Sequence, residues 1–333
     1  MNATLRRLAA SVVVTGFRDA QPEPGFDDVL RAYPFAGFIF FDRNGTSVGA
    51  LRALADTLRA RYEGPPPILA IDQEGGRVMR LREGVAPMPP AAQIGASGDE
   101  ALAERIGAQC ALDLRRAGCN LDFAPVLDLA VNPGNTVIGD RSFGSDPAAV
   151  ARMALAFARG LERGGVVATY KHFPGHGATA VDSHHALPVV EVDEATLRTR
   201  DLVPFAAVAG GARAMMTAHV VVRALDPDRP ATLSRRILQT LLREELGFRG
   251  VCFTDCLQMA AIADGAGSTE GALEALRAGA DALTVSHDPM LAIAIVERVE
   301  RAVEEGDLAP QRLQEAAARI DALRAQLQPP LPV

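Results

Sequence analysis

Eight short runs of apolar and β-branched residues recur along the chain, at 11–17, 37–41, 68–71, 120–123, 166–170, 214–217, 250–254 and 282–285. Runs this short, bounded by turn residues or charges, predict buried strands. Between them lie longer amphipathic stretches at 48–61, 100–117, 147–163, 197–209, 234–245 and 269–278. These predict helices with one apolar stripe each. Strand–helix alternation implies parallel strands joined by right-handed crossovers. Eight such units in about 290 residues fit a closed α/β barrel, (β/α)8 of TIM type, better than an open doubly wound sheet.

No linker divides the sequence, so residues 1–333 are expected to form a single catalytic domain. Residues 289–328 read as one or two covering helices, followed by a Pro-rich tail. Residues 65–67 are a rigid Pro lead into a strand, and 87–90 read as a surface loop. Arg6 and Arg7 before the apolar residues 8–17 resemble a short leader. The same run is instead taken as the first barrel strand, because removing it would cost the barrel a strand.

Composition narrows the function. A net charge of -7 with no basic stripe and no Trp argues against a nucleic-acid partner. Acidity disfavours docking on an anionic membrane, and no apolar run approaches the length of a spanning helix. The four cysteines, Cys110, Cys119, Cys252 and Cys256, form no CxxC motif. They read as small core residues in a reducing, cytoplasmic compartment.

Of 34 basic side chains, one alone is a lysine, Lys171. An ammonium is a compact point donor where guanidinium is a planar fork, so Lys171 is a candidate for a role that only an ammonium fits. It opens the run 171–177, KHFPGHG, and four of the six histidines lie within fifteen residues of it. Other polar groups also stand just after apolar strands: Asp72 to Arg77, Arg141 in the long loop 132–144, His219, Asp255 and His287. Barrel enzymes build their sites on the loops at the C-terminal ends of strands. Six such groups at one end predict a shared active-site mouth.

That mouth offers carboxylates, imidazoles, arginines and one lysine, with no phosphate-binding loop and no dinucleotide fingerprint. The mixture suits a polyhydroxylated ligand. His172, His176, His184 and His185 match no metal-binding spacing, so no metal or cofactor is implied. Asp255, short and fixed at a strand end, suits a glycosidase nucleophile. Asp182 and His184 at i and i+2 could point the same way in an extended segment, with Asp182 setting the imidazole's tautomer. On spacing alone, two unconnected loop residues are the stronger reading.

The strings 71–78 (IDQEGGRV), 141–144 (RSFG), 171–177 (KHFPGHG), 182–184 (DSH) and 254–259 (TDCLQM) resemble glycoside hydrolase family 3, in its bacterial β-N-acetylhexosaminidase branch. The resemblance implies a retaining hydrolase that releases terminal β-linked N-acetylglucosamine, with muropeptide-like recycling fragments as substrate. It implies Asp255 as nucleophile and His184, paired with Asp182, as acid/base. It further implies that Asp72, Arg80, Arg141, Lys171 and His172 hold the sugar, with His219 at the subsite floor. The family usually carries a second carboxylate directly after the nucleophile; here the residue is Cys256. Gly175 and Gly177 suggest a loop that closes over bound sugar. A phosphorylase of the same fold and a catalytically silent sugar-binding barrel are the alternatives. Nothing in the sequence indicates the oligomeric state.

Overall fold

The computed structural model describes residues 3–62, 65–179 and 187–331. Eight parallel strands form its centre: β1 (Val13–Thr15), β2 (Gly37–Phe40), β3 (Ile68–Ile71), β4 (Leu121–Asp122), β5 (Val167–Phe173), β6 (Ala214–Thr217), β7 (Val251–Phe253) and β8 (Leu283–Val285). Each pairs in parallel with the next in sequence, and β1 also pairs with β8. A parallel bridge between Phe253 and Ala282 joins β7 to β8 and closes the ring. Every residue of the eight strands is buried, as expected for strands covered by helices outside and filled by side chains inside. All eight runs expected as strands are strands. Residues 11–17 contain β1, preceded by a helix at Ala3–Ala10.

The helices start where short polar side chains can cap them. Asp99, Asp146 and Asp288 accept from the free amides of the helices Glu100–Arg116, Pro147–Arg163 and Pro289–Glu304. Two of these helices open with Pro, which loses no helical hydrogen bond there. The stretch 197–209 is broken at Leu202, and Pro204 opens its second piece, Val203–Ala209. The covering helices are Pro289–Glu304 and Pro310–Arg324.

At the N-terminal end of β8, the buried Asp281 carboxylate gathers Arg243 at 2.5 Å, Arg312 at 2.7 Å and Arg319 at 3.0 Å. This network ties the last helix to the barrel's base, away from the mouth. The Pro-rich segment 87–90 is more than a surface loop: Met88 O accepts from Gly76 N at 3.0 Å, bracing the turn that follows β3. Among the described residues, no helix is long and apolar enough to cross a membrane.

Candidate active site

The chain leaving β3 carries Asp72 and Glu74, which share a face because successive residues of an extended segment alternate sides. Residues Gln73–Gly75 turn back on Val78–Met79 as a small antiparallel hairpin. The buried Gln73 side chain clamps it. Its Oε1 accepts from Arg80 N and Leu81 N, both at 3.0 Å, and its Nε2 donates to Leu81 O at 2.8 Å. Arg80 is thereby held above Asp72, 3.6 Å from Oδ2.

Lys171 was expected in the loop after β5, but the strand runs on to Phe173. The extra residues pair with the segment after β4: Lys171 N donates to Pro125 O at 3.2 Å, and Leu127 N to Lys171 O at 2.6 Å. Lys171 Nζ donates to Asp72 Oδ1 at 2.8 Å and lies 2.5 Å from Glu74 Oε1. Glu74 also takes a two-pronged contact from Arg141, at 2.7 and 2.8 Å. Burial alone would raise the Glu74 carboxyl, but Arg141 and Lys171 outweigh it and hold the group well below the usual carboxylate range. Burial would lower the Lys171 ammonium; Asp72 and Glu74 reverse that and hold it above its ordinary value. Glu74 and Lys171 therefore both stay charged at neutral pH. Beneath them, burial pushes the Asp122 carboxyl well above its ordinary value.

His172 is oriented from behind. Its Nδ1 lies 2.6 Å from Asp128 Oδ2, and Arg141 Nη2 approaches its Nε2 at 3.4 Å. The network assigns the proton to Nδ1 and leaves Nε2 as acceptor. Asp128 also accepts from the amides of His172 at 3.2 Å and His176 at 2.6 Å. Burial would raise this carboxyl, but His172 and His176 hold it below its ordinary value.

The glycines after His172 each meet a local packing or backbone requirement. Gly175 has φ of +128°, a conformation that side chains disfavour. A Cβ on Gly177 would sit 2.0 Å from Leu129 O, so glycine is needed there for close packing. Asn135 Nδ2 holds His176 O at 2.8 Å, and Asn132 Nδ2 holds Thr179 O at 2.9 Å. The loop is thus fastened as far as Thr179. Asp182 and His184 lie outside the described residues.

Asp255 follows β7 and accepts from Cys256 N at 2.7 Å. Burial would raise its carboxyl, but His219, His172, the Cys256 amide and Lys171 hold it below its ordinary value. His219 was expected at the subsite floor. It is instead fully buried one layer below, because its two ring nitrogens are used by the protein. Nε2 meets Cys256 O at 3.0 Å and Nδ1 meets Thr232 Oγ1 at 2.8 Å. It braces the turn that carries Asp255.

Asp72, Arg80, Arg141, Lys171, His172 and Asp255 all line one cavity of about 660 Å³. Ile39, Phe123, Met216 and Thr284 also contribute to its lining. Glu74 and Asp128 had no assigned role in the sequence. Glu74 was visible as the i+2 neighbour of Asp72, and Asp128 as a carboxylate inside an apolar run, where a buried charge requires a partner.

The profile of the glycosyl hydrolase family 3 N terminal domain matches residues 8–323. A β-hexosaminidase of Methylobacillus flagellatus is 41% identical over 276 residues, spanning 79% of this chain and 77% of that protein. The structure of a glycoside hydrolase family 3 β-N-acetylglucosaminidase from Paenibacillus sp. str. FPU-7 superposes with a TM-score of 0.94 at 40% identity. It covers 98% of this chain, which spans 63% of the Paenibacillus protein. A β-N-acetylhexosaminidase structure from Beutenbergia cavernae gives a TM-score of 0.90 at 32% identity, covering 97% of this chain and 99% of its own.

Proposed function

From the premise that the chain belongs to glycoside hydrolase family 3 and is a glycosidase of the β-hexosaminidase type, we propose that it releases terminal β-linked N-acetylglucosamine through a covalent glycosyl-Asp255 intermediate. One observation carries this reading. Asp255 shares a cavity with Lys171, Asp72, Arg141 and His172, and its surroundings keep it ionised.

In the first step an Asp255 oxygen bonds to the anomeric carbon as the bond to the leaving group breaks. His184, paired with Asp182, gives its proton to the departing oxygen. In the second step water attacks the anomeric carbon, its proton returns to His184, and Asp255 leaves as carboxylate. Asp72 accepts from sugar hydroxyls, and Lys171 and Arg141 donate to them. With sugar bound, a hydroxyl takes the place of the long Arg141 contact at His172 Nε2, which accepts one hydrogen. Small muropeptide-like fragments in the cytoplasm are the proposed substrates, handled by a single catalytic domain.

The test is mass spectrometry after trapping with a slow fluorinated N-acetylglucosaminide. The expected result is one sugar adduct on the peptide containing Asp255. An adduct on another residue, or turnover with no adduct at any time, would overturn the reading. Phosphate in a parallel reaction should leave the product as free sugar; sugar 1-phosphate as main product would make the protein a phosphorylase.

A further inference from the structure

The barrel's backbone pairing stops short of Asp255 on one side. The ladder between β6 and β7 ends at Met216 and Phe253, two residues before Asp255. On the β8 side the hold continues: Thr254 N donates to Ala282 O at 2.9 Å, and Leu257 N to Thr284 O at 3.0 Å. On the β6 side a side chain takes over. His219 Nε2 lies 3.0 Å from Cys256 O, an oxygen that also accepts from Met259 N at 3.1 Å. A carbonyl only accepts, so this ring nitrogen carries a proton. The amide of the same residue, Cys256 N, donates to Asp255 Oδ1 at 2.7 Å. The imidazole thus reaches the carboxylate through one residue.

The imidazole is itself fixed from behind. Its Nδ1 meets Thr232 Oγ1 at 2.8 Å. Thr232 is fully buried, and its hydroxyl lies 2.8 Å from Thr217 Oγ1 and 3.0 Å from Ala218 O, at the end of β6. Both ring nitrogens are therefore engaged below the cavity, and neither is left for a sugar hydroxyl. Rotating the ring would break a buried hydrogen bond.

We propose that His219 and Thr232 are positioning residues for the nucleophile: they hold the Cys256 peptide so that an Asp255 oxygen faces the anomeric carbon, and they take no part in holding the sugar. The inference rests on the glycosidase reading and adds to it two residues that act on the bond-forming step alone. A displacement of about 1 Å at a reacting group costs roughly 10²-fold in rate.

The experiment follows labelling by a slow fluorinated N-acetylglucosaminide in wild type, His219→Leu, His219→Gln and Thr232→Val. Mass spectrometry gives the labelling rate at saturation, the concentration for half that rate, and the final adduct yield. The yield counts folded protein, so it separates misfolding from misplacement. His219→Leu should lower the saturating rate by about 10²-fold and leave the half-saturating concentration unchanged. His219→Gln keeps an N–H within reach of the Cys256 carbonyl and should recover most of that loss. Thr232→Val should slow labelling by about tenfold, the worth of one buried hydrogen bond. An unchanged rate in His219→Leu, an equal loss in His219→Gln, or a loss that appears in the half-saturating concentration would overturn the proposal. Where His219→Leu gives no folded protein, Thr232→Val decides: an unchanged rate there overturns it. Wild type that forms no adduct at Asp255 would instead remove the glycosidase reading, and this inference with it.

Discussion

Lys171 Nζ lies 2.5 Å from Glu74 Oε1, and the same carboxylate is gripped by Arg141 from the other side. Glu74 is buried and belongs to both pairs, so it sets where two cations lining the cavity sit. Replacing it with Gln leaves Lys171 and Arg141 facing each other with Asp72 as their main counter-charge. The expected cost is about 3 kcal/mol at neutral pH, the scale of breaking a buried ion pair.

The pH dependence of that cost has a definite sign. The Glu74 carboxyl is held below its ordinary value of 4.5, so its contribution is present above that pH and is lost as acid protonates it in the folded state. Lys171 is raised, so its contribution is present at neutral pH and is lost only as alkali exceeds its ordinary value of 10.5. Urea unfolding of wild type and Glu74→Gln should therefore differ fully at pH 7 and converge in strong acid. A constant gap across the range would show that the charge of Glu74 is not what matters.

Lys171→Arg keeps the charge and should still fail. The side chain is fully buried, and its ammonium reaches two carboxylates from one point. A guanidinium is wider and planar, so it would displace Asp72 or Arg141. KM for an aryl N-acetylglucosaminide should rise by about tenfold or more, the cost of roughly 1.4 kcal/mol in binding. An unchanged KM would mean that Lys171 does not set the sugar's position.

The barrel was legible because each of its eight strands is buried on both faces. Burial on both sides makes a strand read as a continuous apolar run, and none of the eight was missed. The solitary lysine was legible because it resisted an otherwise uniform use of arginine. The groups behind the site were harder to read. Asp128 lies 44 residues from His172, and no local spacing announces that pairing. His219 looked like a mouth residue because it follows a strand, yet Thr232 and the Cys256 carbonyl draw it under the floor. The need for glycine at 177 was not legible, because sequence does not show how close Leu129 O approaches.

Asp255 gives a prediction for activity against pH. A nucleophile must be ionised, and Asp255 is held below its ordinary value of 3.8 by His219, His172, the Cys256 amide and Lys171 against the opposing effect of burial. The acid limb of kcat/KM should therefore fall below that pH. Lys171→Met removes one of these charges and should move the limb upward, in whatever activity remains. Asp255→Asn should abolish turnover at every pH. A limb at or above pH 5 in the wild type would assign it to another group.

The acid role proposed for His184 can be tested by choice of leaving group. A good leaving group departs without a proton, whereas a poor one needs its oxygen protonated in the transition state. His184→Ala should therefore lower kcat/KM for an alkyl N-acetylglucosaminide by about 10²–10⁴-fold, the usual worth of a placed acid. The loss for a dinitrophenyl N-acetylglucosaminide should be far smaller at the same step. Asp182→Asn should follow the same pattern more weakly, since it would act by orienting the imidazole. A plot of log kcat/KM against leaving-group pKa should accordingly be steeper for both variants than for the wild type. Parallel lines would show that His184 holds the loop or the sugar and transfers no proton.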